Sequence, residues 1–264
     1  MSSLRAFQLD KRLFNPTLYS SLLNFWFKGL PANATAPSND LISKWFGVNI
    51  SAKDKLSFDN GCASNYQSPL ESIGPKNLSL PSFTDVDRDR QHHSDIASPF
   101  VGQFKRGNTA AGGDPVAALG LMLLLDQMPR NIYRRNQELI YGHYDRISRA
   151  VLTEISAQKL DRHKKYRLSP VHRQWFYLPL MHSESMEDHK LLNRLIAEQL
   201  EEVQEAKDKE AVGQIAIIEG HARKHDAILE RFGRYPYRNK VLGRETTEAE
   251  RRWMEEGGDN FGTS

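Results

Sequence analysis

The stretch Asp114-Pro115-Val116-Ala117-Ala118-Leu119-Gly120-Leu121-Met122-Leu123-Leu124-Leu125-Asp126-Gln127-Met128-Pro129-Arg130 decides the fold. Asp114 offers an acceptor for the first free amides of a helix, and Pro115 fits its first turn, where no amide donor is needed. Ala117 to Leu125 is then apolar on every side, so this helix belongs at the centre of a core. Pro129 is expected to end it at about Met128, because the residue before proline avoids helical backbone. Such a helix needs others packed round it.

Downstream, helices are expected over Gln137 to Ala157, Pro170 to His182, Met186 to Lys207, Ala211 to Phe232 and Glu248 to Glu256. Ser185 with Asp188, and Thr247 with Glu250, have the spacing of reciprocal caps at helix starts, while Gly233 followed by Pro236 marks a stop. Upstream, Thr17 to Phe58 reads as helical pieces around the apolar clusters Leu22 to Phe27 and Leu41 to Phe46. Residues 60–113 are rich in Gly, Pro and Ser with sparse apolar periodicity, and are expected to form a loop-rich, partly disordered insertion. No strand pattern competes, and no fixed-period repeat is present. The expected fold class is all-α: a single domain over 1–264, built as an irregular stack of antiparallel helix pairs.

Composition narrows the function classes. The 264 residues are 39% apolar and 26% charged, enough for a sizeable core. Thirty-six Lys and Arg against 33 Asp and Glu leave a net charge of +3, too small for wholesale binding of nucleic acid or membrane. Cys62 alone excludes an internal disulfide and a cysteine-built zinc site. The longest apolar run, Val116 to Leu125, is well short of the roughly 18 residues of a spanning helix, and no signal-peptide pattern opens the sequence. A cytoplasmic location is expected.

Chemistry-bearing residues cluster at the ends of apolar segments. His225 falls within the stripe Ile215, Ile218, Ala222, Leu229 and Phe232, where it is either a satisfied core histidine or a catalytic one. His221, one turn earlier, could share a metal with it, but a third ligand and the glutamate of a zinc protease are missing, so no metal is expected. The run Trp175 to Met181 delivers His182, Ser183 and Glu184, either a partly desolvated acid and base or the cap of the next helix. Arg231, Arg234, Arg238, Lys240 and Arg244, with Arg130 and Arg134, could line an anion pocket or simply stabilise helix ends. Asp126 is a candidate salt-bridge partner for Arg130. No nucleotide cofactor is expected, because neither a glycine-rich dinucleotide turn nor a phosphate-loop lysine is present.

Several strings carry a resemblance: Leu22-Leu-Asn-Phe-Trp-Phe27, Leu123-Leu-Leu-Asp-Gln-Met-Pro-Arg-Asn-Ile-Tyr-Arg134, Tyr177-Leu-Pro-Leu-Met-His-Ser-Glu184, His225 with Arg231-Phe-Gly-Arg-Tyr-Pro-Tyr-Arg-Asn239, and Leu242-Gly-Arg-Glu-Thr-Thr247. Together they resemble the domain of unknown function 924 family. The resemblance implies an all-helical fold of the tetratricopeptide-like superhelical type. It singles out Trp26, Asp126, Gln127, Arg130, Asn131, Arg134, His182, Glu184, His225, Arg231, Arg234, Arg238 and Asn239. The chain departs from the family at Tyr237, where a histidine is usual, and in the length of the 60–113 segment.

These readings lead to the expectation of a small-molecule enzyme. His182 or His225 would be the acid or base, Glu184 its orienter. Trp26, Asp126, Arg130, Asn131, Arg134, Arg231, Arg234, Arg238 and Asn239 would bind an anionic or carbonyl-bearing substrate. Dehydration, cyclisation, isomerisation or hydrolysis would fit, as would a place in a specialised biosynthetic pathway. The alternatives are a tetratricopeptide-like scaffold for a peptide or protein partner and a small-molecule-binding protein without chemistry. An enzyme should enclose histidine and arginine in a pocket of about 300 to 1,000 Å³, whereas a scaffold should show an open groove.

Overall fold

The computed structural model describes residues 3–105 and 113–261, and among these it is all-helical, with no strand. The helices are α1 Ser3–Ala6, α2 Pro16–Trp26, α3 Asn39–Phe46, α4 Ala52–Ser72, α5 Val86–Asp89, α6 His93–Phe104, α7 Pro115–Met122, α8 Met128–Ile132, α9 Gln137–Leu139, α10 Asp145–Ala157, α11 Pro170–Met181, α12 Met186–Glu205, α13 Lys209–Phe232 and α14 Glu248–Glu255. No helix among them is long and apolar enough to cross a membrane.

α7 takes the central place that its composition demands. Asp114 accepts from the amides of Val116 and Ala117, and Ala118 to Leu125 are buried without interruption. Around it lie α2, α6, α10 and α11, which share one apolar cluster with it. Gly120 lets α2 come close: a Cβ there would stand 2.7 Å from Cβ and 2.9 Å from Cα of Tyr19. Trp26, Trp45 and Trp175 meet at centroid distances of 4.9 to 6.1 Å, so residues about 150 positions apart share one aromatic nucleus. A second, smaller cluster forms where Ile228, Leu229 and Tyr235 meet Phe232, Tyr237, Trp253 and Phe261.

Pro129 does not end the helical path. Residues Leu123–Gln127 form a π turn in which Met128 N–H bonds to Leu123 O, five residues back, and α8 continues through Pro129. A proline in a regular helix clashes with the carbonyl four residues earlier, and the wider turn relieves that clash. A second π turn, Ile140–Tyr144, links α9 to α10.

The expected loop-rich insertion at 60–113 is corrected: α4 occupies its start and α6 its later part, while residues 106–112 lie outside those described. Cys62, Tyr66, Leu70 and Ile73, then Ile96, Phe100 and Phe104, step by three and four and are buried. Gly, Pro and Ser between them masked this stripe, and Pro69 and Pro99 both sit inside helices. Tyr144 Oη and a ring nitrogen of His143 hold the end of α4 through the carbonyls of Leu70 and Ile73.

Two helix signals divide. Thr247 and Glu250 form the reciprocal cap of α14, and Gly233 ends α13 in the left-handed conformation (φ +69°). Ser185 does not cap α12 with its side chain. Its hydroxyl donates to Asp87, while Asp188 accepts from Ser183 Oγ and Arg90, so longer-range partners displace the local pair.

Candidate active site

The two π turns place two carboxylates around one guanidinium. Asp126 lies in the first and Asp145 follows the second, and Arg130 Nη2 stands 3.5 Å from Asp126 Oδ1 and 2.8 Å from Asp145 Oδ1. α11 ends at His182, whose Nδ1 lies 3.0 Å from Asp126 Oδ1. Gln127 Nε2 donates to the other Asp126 oxygen. Both carboxylates are buried, whereas the side chains of His182 and Arg130 remain 19% and 21% exposed.

The electrostatics assign the protons. Burial alone would raise the Asp126 carboxyl, but the imidazole and guanidinium beside it, and the hydrogen bonds it accepts, hold it below the ordinary carboxylate range. Burial, reinforced by the Arg130 charge, lowers His182 below its usual value. The resting pair is therefore a carboxylate and a neutral imidazole. A carboxylate only accepts, so Nδ1 carries the proton and Nε2 the lone pair. Nε2 has no hydrogen-bond partner among the described residues.

Arg238 closes the other side. The 3₁₀ turn Pro236–Arg238 carries its guanidinium over the rings of Tyr141 (4.3 Å) and Tyr235 (4.6 Å), with Tyr237 at 5.6 Å, and the residue is buried. It lies within electrostatic reach of Glu184, Asp145 and Arg130. Glu184 itself is spoken for: Arg244 donates to both its oxygens at 2.7 and 2.9 Å, and Tyr235 N–H donates at 2.8 Å. Asp126, rather than the expected Glu184, orients His182. Glu184 instead pins the 235–244 segment to the end of α11.

His225 has the setting of a satisfied core histidine. Its Nδ1 lies 3.1 Å from Tyr235 Oη, its ring stacks on Phe261 at 3.7 Å, and burial pushes it down to about 2. Tyr235 Oη donates to Met181 O and also meets His189, whose Nδ1 bonds Asp226. His221, the other half of the considered metal pair, is exposed on the same helix.

The remaining candidates are placed elsewhere. Arg234 forks onto Glu250 at 2.7 and 2.9 Å and Asn239 donates to the same carboxylate, so both brace α14. Arg134 pairs with Asp59 of α4, and Asn131 bonds the carbonyl of Gln127. Arg231 is exposed over the Phe232 ring, and Trp26 is buried in the tryptophan nucleus. The structure thus gathers Asp126, Arg130, His182 and Arg238, with Glu184 at their edge. Tyr141 and Asp145 were missed, although a charged residue standing in the buried stripe of α10 was a readable signal. A hollow of about 540 Å³ lies apart from this group, lined by residues including Arg12, Thr17, Ser21, Asn65 and Ser68.

An all-helical protein with a buried carboxylate–imidazole–guanidinium cluster at the junction of two π turns is the class that fold and site define. The chain belongs to the family described as bacterial protein of unknown function, DUF924, whose sequence profile matches residues 22–258. It is similar in structure to a protein of unknown function from Agrobacterium tumefaciens, with a TM-score of 0.54 and 24% identity over 94% of this chain and 100% of that one. That likeness concerns the fold alone. No curated protein matches the sequence.

Proposed function

We propose that the protein is a small-molecule enzyme in which His182 transfers protons and Asp126 orients and stabilises it. The observation that carries this reading is the Asp126–His182 hydrogen bond at 3.0 Å, which leaves Nε2 free on a ring still partly open to solvent. Nε2 takes a proton from the substrate, or in hydrolysis from the attacking water, the imidazolium formed is stabilised by the Asp126 carboxylate, and the proton passes to the leaving group or to a neighbouring atom. Dehydration, cyclisation, isomerisation and hydrolysis all use that cycle. Arg130 stabilises negative charge developing on the substrate beside the imidazole. The test compares metabolite profiles of deletion cells carrying wild-type protein, His182→Ala or Arg130→Ala, with folding of each variant verified. Both variants should reproduce the deletion profile; folded variants that restore the wild-type profile overturn the reading.

A scaffold role is the second reading, and one observation favours it. Phe46, Val48 and Leu56 are 45 to 61% exposed around the junction of α3 and α4, an apolar surface of the kind that peptide or protein partners cover. A Leu56→Asp variant that reproduces the deletion phenotype, while His182→Ala does not, would favour the scaffold.

A further inference from the structure

Arg238 is a buried cation without a carboxylate in contact. Among the described residues no Asp or Glu oxygen lies within 4 Å of its guanidinium, and its Nε is buried and unpartnered. The nearby acids are already engaged, Glu184 by both guanidinium nitrogens of Arg244 and Asp145 Oδ1 by Arg130. Arginine is built to grip two oxygens at once, and buried donors are nearly always satisfied. Two further orphans lie in the same cluster, Arg130 Nε and Asp145 Oδ2. Two unsatisfied donors and one unsatisfied acceptor therefore belong to one electrostatically linked group, of which Arg130, like the neighbouring His182, reaches solvent.

We infer that Arg238, with Arg130, binds the oxyanion of a small ligand, a carboxylate or a phosphate, and that Asp145 Oδ2 accepts from a hydroxyl or amino group beside it. The tyrosine rings at 4.3 and 4.6 Å hold the guanidinium in place, and its unpartnered Nε–H is the donor left for the ligand. This names the substrate class for the acid–base reading above and rests on it only for what happens to the ligand once bound. A bound hydroxy or amino acid, or a phosphate ester, would present its neighbouring carbon to His182.

The test titrates the full chain, labelled with ¹⁵N, with sodium acetate and separately with inorganic phosphate, at constant ionic strength. The Nε–H signal of Arg238 should shift and saturate with at least one of them, and the one that binds more tightly identifies the source of the oxyanion. Arg238→Lys, which keeps the charge and loses the fork, should weaken binding at least tenfold, whereas Arg231→Gln, on the exposed arginine, should change it less than twofold. Absence of a saturating shift with both anions, or equal binding by folded Arg238→Lys, overturns the inference; the wild-type titration decides even where Arg238→Lys does not fold. Loss of anion binding with an intact His182-dependent metabolite change sinks this inference alone. Intact anion binding with a wild-type profile in folded His182→Ala sinks the acid–base reading alone.

Discussion

Asp126 serves a guanidinium and an imidazole at once, so its removal should be felt twice. Asp126→Asn leaves Arg130 with Asp145 but withdraws a charged partner from a buried imidazole. Hydrogen bonds to charged groups are worth about 1.5–3 kcal/mol, and a loss of that order is expected in denaturant melts. Activity depends on neutral His182, whose value is depressed by burial and by Arg130. The rate should therefore be flat at neutral pH and fall on acidification, with its midpoint below 6.5. Asp126→Asn should push that midpoint lower still, because the imidazolium loses its stabilising anion. A midpoint above 6.5 in the wild type would contradict the assigned protonation. At this scale the sequence named Asp126, Arg130 and His182 through their positions at the ends of apolar runs. It misassigned Glu184, because chain neighbourhood to His182 says nothing about Arg244, sixty residues on, which claims both carboxylate oxygens.

Elements carry the next level of specification. α2 and α7 approach so closely at Gly120 that a methyl group would meet the backbone of Tyr19 at 2.9 Å. Gly120→Ala gains helix propensity yet forces the two helices apart, and overpacking of this kind costs about 1–3 kcal/mol. Thermal melts should show the variant less stable, whereas Gly213→Ala, where a Cβ meets nothing within 4 Å, should be neutral or stabilising. The long helices were legible from periodicity, capping and the Gly233 stop. The π turns were not, because a five-residue hydrogen bond leaves no compositional trace: Pro129 follows the first turn, but the second holds no proline, and Pro69 and Pro99 sit inside α4 and α6. α4 and α6 escaped for a different reason: small residues fill the turns between their buried positions, and a count of Gly, Pro and Ser outweighed a stripe of period near four.

The molecule as a whole should be acid-sensitive in two stages. Burial holds His93 and His172 down to about 4, so between pH 6.5 and 4 the unfolded chain takes up protons that the folded chain refuses, and stability falls. Hydrogen bonds from Arg234 hold Glu250 down to about 2, which adds a second loss as pH drops below about 4.5, when the unfolded carboxylate protonates first. Calorimetry should show a melting temperature flat above pH 7, declining through pH 5 and collapsing toward pH 3; a melting temperature unchanged from pH 7 to pH 4 would refute this. The tryptophan nucleus has a consequence in time. Trp26 leaves the ribosome about 150 residues ahead of Trp175. At roughly 5–20 residues per second, that is about 7–30 s during which Trp26 lacks the Trp175 ring that completes the nucleus. The newborn first half is thus a natural client for a chaperone.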